Sequence, residues 1–124
     1  MGSADLPNTI LRVDNIPHDW LFPRMAAVVH HGGAGTTGAG LRAGIPTVVV
    51  PFFGDQYFWG WRVHELGAGP KWLPRKMLTP ANLGAAICQA VENEDIIRRA
   101  AELGWRIRAE DGVQTAVRVI ERLL

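Results

Sequence analysis

The chain has 124 residues, about one domain, of which 48% are hydrophobic and 20% charged, so a disordered tail is excluded. Thirteen Lys and Arg against twelve Asp and Glu give a formal net charge of +1, too balanced for a dedicated nucleic-acid binder. The single cysteine, Cys88, excludes an intrachain disulfide framework and a cysteine-based zinc cluster. No apolar run reaches the roughly 18 residues of a membrane span, and the first five residues are not typical of a signal peptide. We therefore expect a soluble, cytoplasmic domain.

Four short segments rich in β-branched or apolar residues predict strands, at 9–13, 26–30, 46–51 and 71–73. The third segment is apolar throughout, as strands covered on both faces of a parallel sheet are.

Helical patterns separate and follow these segments. A single turn is predicted within 20–25, and helices at 36–43 and 55–66 end at glycines. Thr79 and Pro80 are typical of a helix start, and two further helices are predicted at 95–108 and from about Asp111. The order β-β-α-β-α-β-α-α-α predicts an α/β domain with a Rossmann-like parallel sheet and flanking helices. Four strands are few for such a sheet, so we expect it to be incomplete at its N-terminal end.

Residues 33–38 match the pattern G-x-G-x-x-G between a predicted strand and a helix, as in dinucleotide-binding domains. Three features oppose that interpretation. Asp55 lies beyond the end of the next strand, the helix after the glycines is only about two turns long, and a strand precedes the motif. A tight strand–helix turn capped by Thr36 and Thr37 is a further alternative.

Whether or not the ligand is a dinucleotide, the motif predicts a glycine turn that opens a helix. Free N–H groups and the positive end of the helix dipole make such a start a phosphate-binding site. His31 immediately precedes the glycines and can donate a hydrogen bond to the same phosphate.

Three motifs, at 17–24, 30–37 and 54–56, occur in the same order and spacing in the sterol 3-β-glucosyltransferases. They also occur in related bacterial glycosyltransferases of the macrolide and glycopeptide type, and the similarity extends from about Leu11 to Leu124. The resemblance implies the C-terminal, nucleotide-sugar-binding domain of a GT-B enzyme, in which two Rossmann-like domains face a cleft. On this basis 1–124 is expected to be the donor-binding domain, with the acceptor domain absent.

The resemblance also implies roles for ten residues. The wall around the uracil and ribose is expected from Asn15, Ile16 and His18. The diphosphate cradle is expected from His31, Gly33, Ala34, Gly35 and Thr36. The donor-sugar hydroxyls are expected to bind Asp55 and Gln56, a pair that suggests glucose; helix capping by Asp55 is the alternative.

The implied reaction transfers a hexose, expected to be glucose, to a hydroxyl of a sterol-like or other lipophilic acceptor, with inversion. The catalytic base would belong to the absent domain, so no catalytic residue is assigned here. Neither a cofactor nor a metal is expected. Peripheral contact of the complete enzyme with a membrane is an open alternative. The other expected partner is a second copy, through an exposed interdomain face. A non-catalytic nucleotide-binding or interaction module is the alternative function, and an NAD(P)-binding oxidoreductase domain is less favoured.

Two other residue groups carry weaker signals. The four histidines (His18, His30, His31 and His64) and Asp55 match no zinc-site spacing. The aromatic residues Phe58, Trp59 and Trp61 are interpreted as core or interdomain packing rather than as a sugar-stacking surface.

Overall fold

A computed structural model describes residues 6–124 of the chain. These residues contain a parallel two-stranded sheet, β1 (Val28–His30) and β2 (Thr47–Val49). Val28 pairs with Thr47 and His30 with Val49. The predicted strands at 26–30 and 46–51 and the α/β class with a parallel sheet and flanking helices are confirmed.

The described residues also form six α-helices and two short 3-10 helices. The α-helices are α1 (His18–Leu21), α2 (Ala34–Ala43), α3 (Gln56–Glu65), α4 (Pro80–Glu92), α5 (Glu94–Ala109) and α6 (Gly112–Leu123). The 3-10 helices are Phe22–Arg24, which continues α1, and Arg75–Met77. Every helix predicted from the sequence is present within residues 6–124, with starts that differ by no more than two residues.

The predictions of strands at 9–13 and 71–73 were wrong. Residues 9–13 are irregular, and Leu11 is 85% exposed. Residues 71–73 run beside β2 but form isolated hydrogen bonds with it instead of a ladder. One such bond runs from the Leu73 N–H to the Val49 carbonyl oxygen at 3.0 Å. β-branched and aromatic residues favour a strand only where a neighbouring strand accepts the ladder bonds, so the described sheet has two strands instead of four.

Strand β2 lies at the centre of the core because both of its faces are covered. Val48 and Val49 are 0% and 1% exposed. Val48 packs with Ala86 and Ala90 of α4, while Val49 belongs to a second cluster formed by Leu41, Val63, Ala68 and Ala100. This double burial explains why 46–51 is apolar throughout.

Helix starts and ends follow the capping signals in the sequence. The Asn82 N–H donates to the Thr79 hydroxyl at 3.1 Å, and the Thr79 N–H donates to Asn82 Oδ1 at 2.8 Å. This reciprocal pair satisfies two free donors at the start of α4. Gly44, at φ 74°, ends α2 in the left-handed conformation.

Helix α2 lies close to both the sheet and α5. A Cβ atom at Gly40 would be 2.9 Å from the Thr47 hydroxyl, and one at Gly104 would fall on the backbone of Gly44. The two glycines thus allow α2 to pack closely against the sheet and α5. No helix within 6–124 has the length and apolar character required to cross a bilayer.

Candidate functional site

A sharp turn connects β1 to α2. Gly32 is buried at φ 91°, a conformation that strongly favours glycine. A Cβ at this position would also lie 2.6 Å from Val49 Cγ1 and 3.0 Å from the Gln56 carbonyl oxygen. The turn therefore brings the start of α2 close to the start of α3.

Among residues 6–124, no side chain caps the N-terminus of α2. The first helical bond runs from the Thr37 N–H to the Gly33 carbonyl at 2.9 Å, and Gly33 occupies the N-cap position. The N–H groups of Ala34, Gly35 and Thr36 therefore precede the helical bonding ladder. Because this end is uncapped, the alternative in which Thr36 and Thr37 cap the helix is not supported. The surface at Gly35 is open, since a Cβ added there would meet no atom of residues 6–124 within 4 Å.

His31 lies over this helix start. Its side chain is exposed, and a Cβ added at Gly33 would be 2.6 Å from the His31 Nε2 atom. Because Gly33 has no Cβ, the His31 imidazole can pack against the N-cap residue. His31, Gly33, Ala34, Gly35 and Thr36, predicted to act together, lie together in the structure.

His30 is a residue of this site that the sequence interpretation missed. Its Nδ1 accepts a hydrogen bond from the Gly32 N–H at 2.9 Å, so a neutral ring carries its proton on Nε2. Burial lowers the pKa of His30 to about 4, with smaller contributions from His31 and His18. The alternation of side chains along β1 could have indicated the burial of His30, since it places His30 on the same side as the buried Val28.

Two buried polar atoms near the turn have no hydrogen-bond partner within the described residues. They are His30 Nε2 and the Thr37 hydroxyl oxygen in the first turn of α2. Such atoms are rare in native proteins.

A cleft of about 460 Å³ opens beside the turn, lined by His31, Phe52, Phe53 and Gln56. Gln56 is only 8% exposed, and its Oε1 accepts from the Phe52 N–H at 2.8 Å and the Phe53 N–H at 3.2 Å. The side-chain oxygen therefore holds the loop between β2 and α3. The amide N–H groups of Gln56 are its remaining donors.

Asp55 occupies the N-cap position of α3 but makes no side-chain capping bond. Its Oδ2 instead accepts from the Trp59 indole N–H at 3.3 Å. The helix-capping alternative for Asp55 is therefore not supported, and the carboxylate is held by the next turn of its own helix.

The remaining predicted site residues lie in and before α1. The His18 ring stacks on Phe22 at a centroid distance of 4.4 Å, and it lies close enough to His30 to influence that residue's pKa. Asn15 is exposed and Ile16 half-buried in the irregular segment before α1, and neither lines the 460 Å³ cleft.

Other groups do not form part of this arrangement. Within 6–124, no three His, Cys, Asp or Glu side chains are grouped closely enough to hold a metal. A second cavity of about 410 Å³, lined by Pro23, Arg42 and Arg108 among others, shares no residue with the glycine turn. Phe58 and Trp61 are 51% and 41% exposed, so they lie outside the core of residues 6–124, and their interdomain packing stays a prediction.

Comparison with curated proteins finds close relatives. The chain is 51% identical over 117 residues to a sterol 3-beta-glucosyltransferase of Yarrowia lipolytica and 52% identical to one of Aspergillus fumigatus. Each match covers 94% of this chain but only 8% of the relative's length.

Solved structures share the fold. The glycosyltransferase VinC in complex with DTDP is 32% identical with a TM-score of 0.80, over 95% of this chain and 31% of that one. The kitacinnamycin glycotransferase is 29% identical with a TM-score of 0.88, over 98% of this chain and 31% of that one.

A protein-family comparison supports the same relationship. The family described as erythromycin biosynthesis protein CIII-like, C-terminal domain, matches residues 1–122, nearly the whole chain. Together with the shared fold, this match shows that the chain belongs to the erythromycin biosynthesis protein CIII-like C-terminal domain family.

Proposed function

We propose that this chain binds the sugar donor, UDP-glucose, in a longer glycosyltransferase. The observation that carries the proposal is the uncapped N-terminus of α2, with His31 against it and an unobstructed surface at Gly35. The names of the relatives and of the structural neighbours support the same class of reaction.

The diphosphate is proposed to bind at the start of α2. Three N–H groups, of Ala34, Gly35 and Thr36, point along a helix dipole whose positive end is equivalent to roughly half an elementary charge. His31 adds a side-chain donor at the same helix start. These groups would stabilise UDP as it leaves.

The glucose is proposed to lie beside the start of α3. Asp55 has carboxylate oxygens that accept from sugar hydroxyls, with the Trp59 indole holding the carboxylate. Gln56 would contribute its amide N–H groups, because its oxygen is already bonded to the loop. Acceptor and donor side chains next to each other suit two neighbouring hydroxyls.

The uracil and ribose are proposed to lie against Asn15, Ile16 and His18. The support is positional, since His18 lies near His30, which precedes the glycine turn. The solved structure of VinC contains DTDP, another nucleoside diphosphate.

In the proposed reaction, the complete protein transfers glucose to a sterol or similar lipophilic hydroxyl with inversion. A base outside this chain would deprotonate the acceptor, while Asp55 and Gln56 hold the sugar in line for attack. The helix dipole and His31 would offset the charge of the departing diphosphate, so the proposal requires neither a metal nor another cofactor.

Calorimetric titration with UDP tests the diphosphate site. We expect binding that weakens roughly tenfold in His31→Ala, through loss of a charge-assisted hydrogen bond. Gly35→Ala should also weaken binding, because its methyl group would occupy the open surface while meeting no protein atom.

Gly38→Ala is the matched control. It lies on the same helix, and its added Cβ also meets nothing within 4 Å, but it follows the free N–H groups. UDP binding that is equally weak in both glycine variants would contradict the proposed position. Binding of NADH without UDP would contradict the glycosyltransferase function.

A further inference from the structure

A cavity of about 410 Å³ lies among α1, α2 and α5, apart from the glycine turn. It is called the helix cavity here and is lined by six residues: Asp19, Pro23, Ala39, Arg42, Ala43 and Arg108. Arg42 and Ala43 end α2, a ten-residue helix about 15 Å long, whereas the proposed diphosphate site is at its first turn. A ligand in the helix cavity would therefore occupy a site of its own.

The base of the helix cavity is apolar. Ala39 and Ala43 are half-buried, and they pack against a buried cluster formed by Phe22, Val28 and Ile45. Sites for small molecules are concave, about 300–1,000 Å³ in volume, and combine an apolar lining with a few polar groups. The size and the base of the helix cavity therefore suit a small organic ligand.

Three charged side chains complete the lining. Asp19, Arg42 and Arg108 are all exposed, so each can reach a ligand. The Arg108 Nη1 donates to the Arg42 carbonyl oxygen, which holds this guanidinium at the C-terminal end of α2. Among residues 6–124 the ion pairs all involve Arg98, so Asp19 is paired with neither arginine of the cavity. Two cations and one anion thus line the same cavity without forming an ion pair with one another.

We propose that the helix cavity binds a small zwitterion, an α-amino acid with an apolar side chain. The ligand carboxylate would accept hydrogen bonds from Arg42 and Arg108, because planar guanidinium groups match the geometry of a carboxylate. The ligand ammonium would donate to the Asp19 carboxylate. The apolar side chain of the ligand would lie on the alanine base, where it is removed from water.

The charge pattern favours a zwitterion over a simple ion. A ligand with a carboxylate alone would bring a like charge to Asp19, and a ligand with an ammonium alone would bring one to the two arginines. An amino acid presents the opposite charge to all three groups. The inference does not rest on the proposed function, because none of the six lining residues belongs to the proposed nucleotide or sugar sites.

Magnetic resonance titration of the 124-residue chain with L-phenylalanine tests the inference. We expect saturable shifts in the amide signals of the residues that line the helix cavity. Phenethylamine lacks the carboxylate and phenylpropanoate lacks the ammonium. Each should bind roughly fivefold more weakly than phenylalanine, since exposed ion pairs contribute modestly.

Two variants assign the ligand groups to their partners. Arg42→Gln should weaken the binding of phenylalanine and phenylpropanoate but not that of phenethylamine. Asp19→Asn should weaken the binding of phenylalanine and phenethylamine but not that of phenylpropanoate. A general change in structure would not produce this crossed pattern, because it would affect all three compounds.

Arg106→Gln is the matched control, because Arg106 is also exposed in the last turn of α5 but does not line the helix cavity. Its affinity for phenylalanine should equal that of the unaltered chain. The inference is overturned if phenylalanine causes no saturable shifts, if the shifts centre outside the lining residues, or if the three compounds bind equally. It is also overturned if Arg106→Gln weakens binding as much as Arg42→Gln does.

Discussion

At the scale of single residues, His30 makes the stability of the fold depend on pH. Its Nδ1 accepts from the Gly32 N–H, and its pKa is lowered from 6.5 to about 4 chiefly by burial. Between about pH 4 and pH 6.5, His30 therefore binds a proton in the unfolded chain but not in the folded chain. The linkage stabilises the fold above pH 6.5 and is lost as the pH falls toward 4.

We expect the free energy of unfolding to drop by about 2 kcal/mol between pH 7 and pH 4 through this group, after allowing for the partial exposure of the ring. Urea denaturation across this range measures the drop. His30→Asn keeps an acceptor for the Gly32 N–H but cannot titrate, so its profile should be flatter. An unchanged slope in His30→Asn, or an equal change in the exposed His64→Asn, would contradict the assignment.

At the scale of secondary structure, the crossing of α2 and α5 depends on Gly104. A Cβ there would fall on the Gly44 backbone and lie 2.9 Å from the Leu41 carbonyl oxygen, neither of which can rotate away. Gly104→Ala should therefore lower the free energy of unfolding by about 3 kcal/mol, the cost of forcing two helices apart.

Gly84→Ala on α4 is the matched control for this prediction, because its Cβ would meet no atom within 4 Å. Alanine is a better helix former than glycine, so this variant should gain up to about 1 kcal/mol. The urea midpoints of the two variants check the predicted loss for Gly104→Ala and the predicted gain for Gly84→Ala. Equal changes in both midpoints would show that helix propensity, rather than packing, determines the effect.

At the scale of the whole molecule, the chain spans about a tenth or less of its curated relatives and about a third of its structural neighbours. We predict that the chain alone, given UDP-glucose and a sterol, forms no glycoside, because the proposed base lies in the remainder of the protein. Chromatography of the reaction mixture measures this. Glycoside formation at the rate of a complete enzyme would show that a base lies within these residues.

Much of the fold was predictable because its signals are local. Thr79 and Pro80 marked a helix start through capping groups only a few residues apart, and the apolar run at 46–51 marked a doubly covered strand. The segments 9–13 and 71–73 were not predictable in this way, since a strand depends on a partner that sequence does not name.

By itself, the sequence determined the helices, the two central strands and the glycine turn that opens α2, since periodicity, caps and backbone freedom act over a few residues. Tertiary structure alone decided that His30 Nε2 has no hydrogen-bond partner within residues 6–124, that the Gln56 oxygen binds its own loop, and that Phe58 and Trp61 are exposed. The reason is physical: hydrogen-bond partners and burial depend on which segments meet in space, and those meetings join residues distant along the chain.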